Sequence, residues 1–233
     1  MSRLHPSRFW SDERGLSALL IFFLGYFIVL TSLGEFLFGR LVAHIFFSLV
    51  IVAGVVTTFQ KKWLGFLVIA VAVVSLALNW AEEIRPGVGP AVLATAVSLI
   101  YLGILLVVVI AQVFRDGPVT AHRIRGAIVI YLLLGVMWAF TYQLAALTIP
   151  EAFRMPEPLT GGATGKLRQE LTYFSVVTLT TTGYGDITAV HPVVRTLVML
   201  EALVGQLYPA IVLAWLVSLA IMHQKEKPVN FLD

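Results

Sequence analysis

The chain has 233 residues, 59% hydrophobic and 12% charged, with a mean hydropathy of +0.92, a composition that excludes a soluble domain and marks a polytopic membrane protein. The absence of cysteine excludes disulfides, thiolate metal sites and thiol catalysis. The net charge of +3 comes from basic residues scattered through loops, a pattern of membrane orientation rather than of nucleic-acid binding.

Arg3, Arg8 and Arg14 precede the first apolar run, Leu16 to Leu37. That run is longer than the ~7–15 residues of a signal-peptide core and no small-residue cleavage site follows, so it is expected to be an uncleaved helix. A spanning helix needs about 20 apolar residues. Five more stretches qualify: Leu41 to Phe59, Trp63 to Trp80, Ala91 to Phe114, Ala127 to Ile149 and Val193 to His223. Trp10, Trp63 and Trp80 lie near the expected boundaries, as in an interfacial belt. The fourth stretch carries no charge at all, and Arg115, Arg123 and Arg125 are placed beyond it, in a linker from Arg115 to Gly126.

Between the fifth and sixth stretches, the segment Glu151 to Arg168 follows Pro150 and contains Pro156, Pro158 and the Gly161-Gly162 pair. It reads as an external turret without regular structure. Helix formers return from Gln169 to Thr180, giving a half-length helix that dips into the membrane. After it comes Thr-Thr-Gly-Tyr-Gly-Asp, residues 181–186. For successive carbonyls to point the same way along an axis, alternate residues must adopt backbone angles that residues with a Cβ avoid, and Gly183 and Gly185 supply that freedom. Thr181 adds a hydroxyl oxygen, and Tyr184, too large for an axis, is expected to turn its ring away and wedge the loop against the preceding helix. Non-helical backbone at membrane depth is tolerated only where protein buries it or a watery cavity is lined.

This sequence, preceded by Tyr-Phe-Ser-Val-Val-Thr-Leu-Thr, resembles the pore region of tetrameric potassium channels, specifically the six-helix, single-pore-loop prokaryotic type. The likeness covers residues 127–233 and says little of residues 1–126. It implies an all-α integral membrane protein with six transmembrane helices, a re-entrant pore helix and selectivity filter between helices 5 and 6, and a homotetramer in which each chain supplies a quarter of the pore. The four-helix region 1–126 then stands where other members carry a voltage sensor, and 127–233 is the pore domain. The resemblance assigns K+ to the carbonyls of Thr181, Thr182, Gly183 and Tyr184, with Gly185 completing the filter, since carbonyl rings replace the hydration shell of the ion in such channels. It makes Tyr173 and Phe174 the aromatic pair that braces the filter, with Tyr173 bonding Asp186. The chain departs from some bacterial channels in having Val177 where they put a carboxyl group behind the filter.

In the last stretch, Pro209 cannot donate to the carbonyl of Gly205, itself a weak helix former, so two faults fall on one peptide group. Gly205 also occupies the hinge position of the family, and a gating hinge is expected. Leu213, Val217 and Ile221 repeat every four residues and are candidates for an inner constriction that gates by dewetting. Glu201 is the one acid deep in a span and a possible modulatory group. His191 and Arg195 read as interfacial anchors. Voltage-gated members carry arginines through the fourth helix, whose movement in the field supplies the gating energy. Their absence here predicts no conventional voltage sensing.

A filter entering from outside leaves both termini cytoplasmic in a multi-pass protein of the cell membrane. The basic residues agree, with Arg3, Arg8, Arg14, Lys61, Lys62, Arg115, Arg123, Arg125, Lys225 and Lys227 inside, against Arg40, Arg85, Arg154, Lys166, Arg168 and Arg195 outside. The tail from Gln224 to Asp233 leaves no room in this sequence for a ligand-binding module, and the stimulus stays open between lipid tension, pH, the filter itself and a partner. Metal-ligand spacings, nucleophile constellations and phosphate-binding loops are lacking, so no enzyme is expected. The rival readings are a weakly selective cation channel, a potassium transporter subunit, for which several degenerate pore loops in one chain are expected, and a scaffold with a relic pore.

Overall fold

The computed structural model describes residues 6–33, 37–58, 62–114, 121–156 and 164–225. In chain order these form α1 (Pro6–Leu33), α2 (Leu37–Thr58), α3 (Lys62–Ile84), α4 (Val88–Val113), α5 (Ala121–Thr148), β1 (Phe153–Arg154), α6 (Thr164–Leu179), β2 (Thr188–Ala189) and α7 (Pro192–Lys225). Among the described residues the architecture is all-helical apart from two short strands. By length and composition, Gly65–Ile84, Val88–Val113, Arg123–Thr148 and Pro192–Leu219 can each cross a membrane. The apolar stretches described in α1 and α2 are shorter, Gly15–Leu30 and Leu41–Val55.

The described parts of the apolar runs read from the sequence lie almost wholly in helices, with shifted ends. The first helix begins at Pro6, before the apolar run, and α3 continues past Trp80 to Ile84. Arg123 and Arg125 belong to α5 and not to a linker: the Arg123 guanidinium lies over the Trp215 ring at 5.6 Å, and Arg125 donates to Ser17 Oγ at 2.8 Å. Arg3, Lys61, Arg115 and Lys227, used above for orientation, lie outside the described residues.

The main core joins α1, α2, α4 and α5 through Phe23, Tyr26, Phe47, Tyr101, Leu105 and Phe140, all at most 2% exposed. Tyr101 anchors it by donating from its hydroxyl to the Ile51 carbonyl at 2.6 Å. Between spanning helices apolar packing alone discriminates little, because lipid tails are as apolar as leucine, so polar contacts carry the pairing. One such contact joins Ser75 of α3 to Ser98 of α4 at 2.9 Å, with Asn79 Nδ2 donating to Ser98 Oγ at 2.8 Å.

A second core, made of Tyr142, Leu167, Leu171, Phe174, Ile187 and Val194, packs α5, α6 and the start of α7 together. Beside it β1 pairs antiparallel with β2, Phe153 opposite Ala189 and Arg154 opposite Thr188. The backbone N–H of Val190 extends this pairing to the Ala152 carbonyl at 3.0 Å. The region between Glu151 and Arg168 is therefore not all irregular. It contributes β1, and α6 starts at Thr164, five residues before the expected Gln169. The pairing ties the approach to α6 to the chain that leaves the 181–186 loop.

Candidate functional site

The loop after α6 begins as the cap of that helix. Thr181 N–H donates to the Thr178 carbonyl and Thr182 N–H to the Val177 carbonyl, both at 2.9 Å, with Thr181 at φ +58°. This is a Schellman ending, in which the left-handed position is most often glycine. A β-branched residue there is costly, by about 1–2 kcal/mol. Left-handed backbone then recurs at every second residue: Thr181, Gly183 at φ +58° and Gly185 at φ +78°. The two glycines were expected to take this conformation, whereas the threonine was not. The alternation is the one that alignment of successive carbonyls requires.

Hydrogen bonding in the loop is one-sided. The N–H groups of Thr180 to Gly183 fold back onto the carbonyls of Val176, Val177 and Thr178. Among the described residues none donates to a carbonyl oxygen of residues 180–185. Thr180 Oγ1 bonds the Val176 carbonyl at 2.7 Å and Thr182 Oγ1 at 2.9 Å, while the Thr181 hydroxyl has no partner among the described residues. All seven residues from Thr180 to Asp186 are exposed. The loop thus offers unbonded carbonyl and hydroxyl oxygens, suited to a cation, although the N–H groups of Tyr184, Gly185 and Asp186 also have no acceptor among the described residues.

Tyr173 donates from its hydroxyl to Asp186 Oδ2 at 2.9 Å, and Asp186 Oδ1 receives the N–H of Ile187 at 3.0 Å. Phe174 does not stand beside Tyr173 against the loop. Its ring packs edge-on against Tyr142 and Phe153, with centroids 5.3 and 5.5 Å away, so it fastens α6 to α5 and β1. Adjacent helical positions point about 100° apart, which is why the pair divides its duties. Tyr184 departs from expectation. The residue is 71% exposed, so it is not tightly packed against α6 of the same chain.

Behind α6, Glu201 of α7 is fully buried; it accepts a hydrogen bond from Tyr142 Oη of α5 and lies within hydrogen-bond distance of Ser175 Oγ of α6, each at 2.5 Å. Ser175 Oγ also lies 2.8 Å from the Gly135 carbonyl. A serine hydroxyl has one proton to give. Both of its contacts are satisfied together when the carboxyl group supplies the proton it shares with Ser175 and the serine donates to Gly135. The result is a clamp across three helices.

Gly205 is buried where α7 crosses the end of α6, and a Cβ there would collide with the Leu179 carbonyl oxygen. That same oxygen accepts from Tyr131 Oη at 3.1 Å. Gly205 therefore permits a close backbone approach two residues before Thr181, a duty the sequence did not suggest. The helix α7 continues through Pro209. Leu213, Val217 and Ile221, 64%, 50% and 50% exposed, share an uncovered face. Arg195 donates from Nε to the Ala189 carbonyl at 3.1 Å, which joins α7 to β2, and His191 Nδ1 accepts the Val193 N–H at 3.3 Å.

Residues 168–221, covering most of α6, the loop and α7 through Ile221, match the ion channel family. This part of the chain is similar to an ion-channel domain. No curated protein and no solved structure matches the chain.

The sequence reading overlooked Arg168, placing it in an external turret. It is buried in the second turn of α6, and its guanidinium bonds Gln143, Asn79 and Glu82. Arg168, Thr172 and Ser175 recur at i, i+4 and i+7, a polar stripe on one helical face that periodicity alone could have found.

Proposed function

We propose that the protein is a potassium-selective channel conducting passively through a homotetrameric pore. The observation that carries this reading is the loop of residues 181–185, with left-handed backbone at alternate positions, its first N–H groups spent on α6 and its carbonyls free. The carbonyls of Thr181, Thr182, Gly183 and Tyr184 and the Thr181 hydroxyl replace the hydration shell of K+. Neighbouring ions repel, which keeps binding from becoming trapping. The carboxyl end of α6 directs its partial negative charge toward the same region.

One copy supplies one side of such a path, and the exposed Tyr184 ring and the uncovered apolar face of α7 are surfaces for neighbouring copies. In the assembly Tyr184 braces the loop against the adjacent subunit, Leu213, Val217 and Ile221 line the inner constriction, and α7 bends near Gly205 and Pro209. Six helices cross the membrane, with α6 re-entrant and both termini cytoplasmic. Helix α4 carries no charged residue, so gating does not use voltage in the conventional way.

Reversal potentials of the purified protein in liposomes, under opposed potassium and sodium gradients, test the reading. The expected potential follows potassium. Equal conduction of sodium, the absence of current, or coupled transport without channel openings would each overturn it.

A further inference from the structure

Arg168 is 6% exposed, and three of its donors are used across two other helices. Its Nε donates to Gln143 Oε1 of α5 at 3.1 Å, Nη1 to Asn79 Oδ1 of α3 at 3.3 Å and Nη2 to Glu82 Oε2 of α3 at 3.1 Å, while the Phe140 ring lies 5.1 Å below. Asn79 passes the connection to Ser98 of α4. Near the amino end of a helix a cation opposes the macrodipole, so nothing in α6 itself favours this residue. Nor does a buried ion pair add much net stability, because desolvation consumes most of the attraction. What such a pair does well is fix register between elements.

The lever is long. Thirteen positions separate Arg168 from Thr181 along α6, roughly 20 Å at the helical rise per residue. A tilt of α6 by about 3° around its Glu82 end therefore carries the loop through about 1 Å, and a displacement of that size can cost a functional site on the order of a hundredfold. The opposite end of the same polar stripe is held by Ser175 on Gly135 and Glu201. The tilt of α6 is thus set by α3 at one end and by α5 and α7 at the other.

We propose that Arg168 is a positioning residue through which α3, bonded in turn to α4, sets the tilt of α6 and hence the geometry of the 181–185 loop. The helices before α5 then act on the ion path at this loop and not at the constriction lower in α7. This inference rests on the reading of the loop as the path of K+.

The test uses the full chain in liposomes, with Arg168→Lys, Glu82→Gln, Glu82→Asp and the Arg168→Lys/Glu82→Gln pair. Lysine keeps the charge but cannot reproduce the fork of donors. Open dwell times or the potassium-to-sodium permeability ratio should change by about tenfold in Arg168→Lys and Glu82→Gln, with the double variant no worse than either single, as for two members of one unit. Glu82→Asp, which keeps the charge on a shorter side chain, should show the same change in milder form, and it decides the matter if Glu82→Gln fails to assemble. Because the chain has no native cysteine, the modification rate of Val217→Cys isolates the lower constriction, and Glu82→Gln should leave that rate unchanged. Assembled variants with wild-type permeability ratio and dwell times, additive effects, or an altered rate at Val217→Cys would overturn the inference while leaving the conduction reading intact. A wild-type protein that passes no current removes both.

Discussion

Replacing Gly205 by alanine perturbs the loop from behind, and the structure fixes the size of the push. The new Cβ would meet the Leu179 carbonyl oxygen and lie 2.7 and 2.9 Å from the carbonyl carbon and Cα of that residue, where ordinary contact begins at 3.4 Å. The neighbours are backbone, so no side chain can swing aside. Leu179 must move by more than the ~0.5 Å within which functional geometry is held, and its carbonyl shifts on the Tyr131 hydroxyl. Overpacking of this kind costs about 1–3 kcal/mol, equivalent to a roughly 5–150-fold loss of the conducting arrangement. Potassium flux per incorporated protein in liposomes reads the effect. Gly103→Ala supplies the control, because nothing lies within 4 Å of that position in α4, and its flux should match wild type. Wild-type flux in Gly205→Ala would refute the close-approach argument.

Thr181→Gly should separate stability from conduction. It relieves about 1–2 kcal/mol of left-handed strain, so the thermal midpoint should not fall. The loss of an oxygen ligand to a cation, worth about 1.5–3 kcal/mol, should lower potassium flux roughly tenfold or more; an undiminished flux would count against a hydroxyl ligand. For Glu201, glutamine can give a proton to Ser175 and accept from Tyr142, so Glu201→Gln should retain near wild-type thermal stability. Glu201→Ala leaves both hydroxyls without that partner, at about 1–3 kcal/mol each, and equal stability of the two variants would discount the clamp.

Much of this architecture was written locally. Continuous apolar runs sufficed to find α1 to α5 and α7, and the glycines at 183 and 185 announced backbone angles that the structure then showed, because those properties belong to single residues or short windows. What stayed hidden depends on pairs far apart in the chain. Arg168 reads as a turret charge until Glu82 and Asn79, more than eighty residues earlier, are seen to cover it. Gly205 reads as a helix fault until the end of α6 is laid across it. The strand pair has the same origin, since Phe153 and Ala189 need each other and neither segment announces a strand alone. Thr181 eluded the reading for a different reason: its left-handed angle follows from helix capping, which overrides the preference of a β-branched residue.

The one-sided bonding at the end of α6 divides a recognition problem in two. With the N–H groups of Thr180 to Gly183 turned inward, a single chain already leaves the loop carbonyls unbonded, which on the proposed reading favours cations before any neighbour arrives. In the proposed tetramer, assembly then has diameter left to judge, which a lone loop cannot measure and a closed ring can.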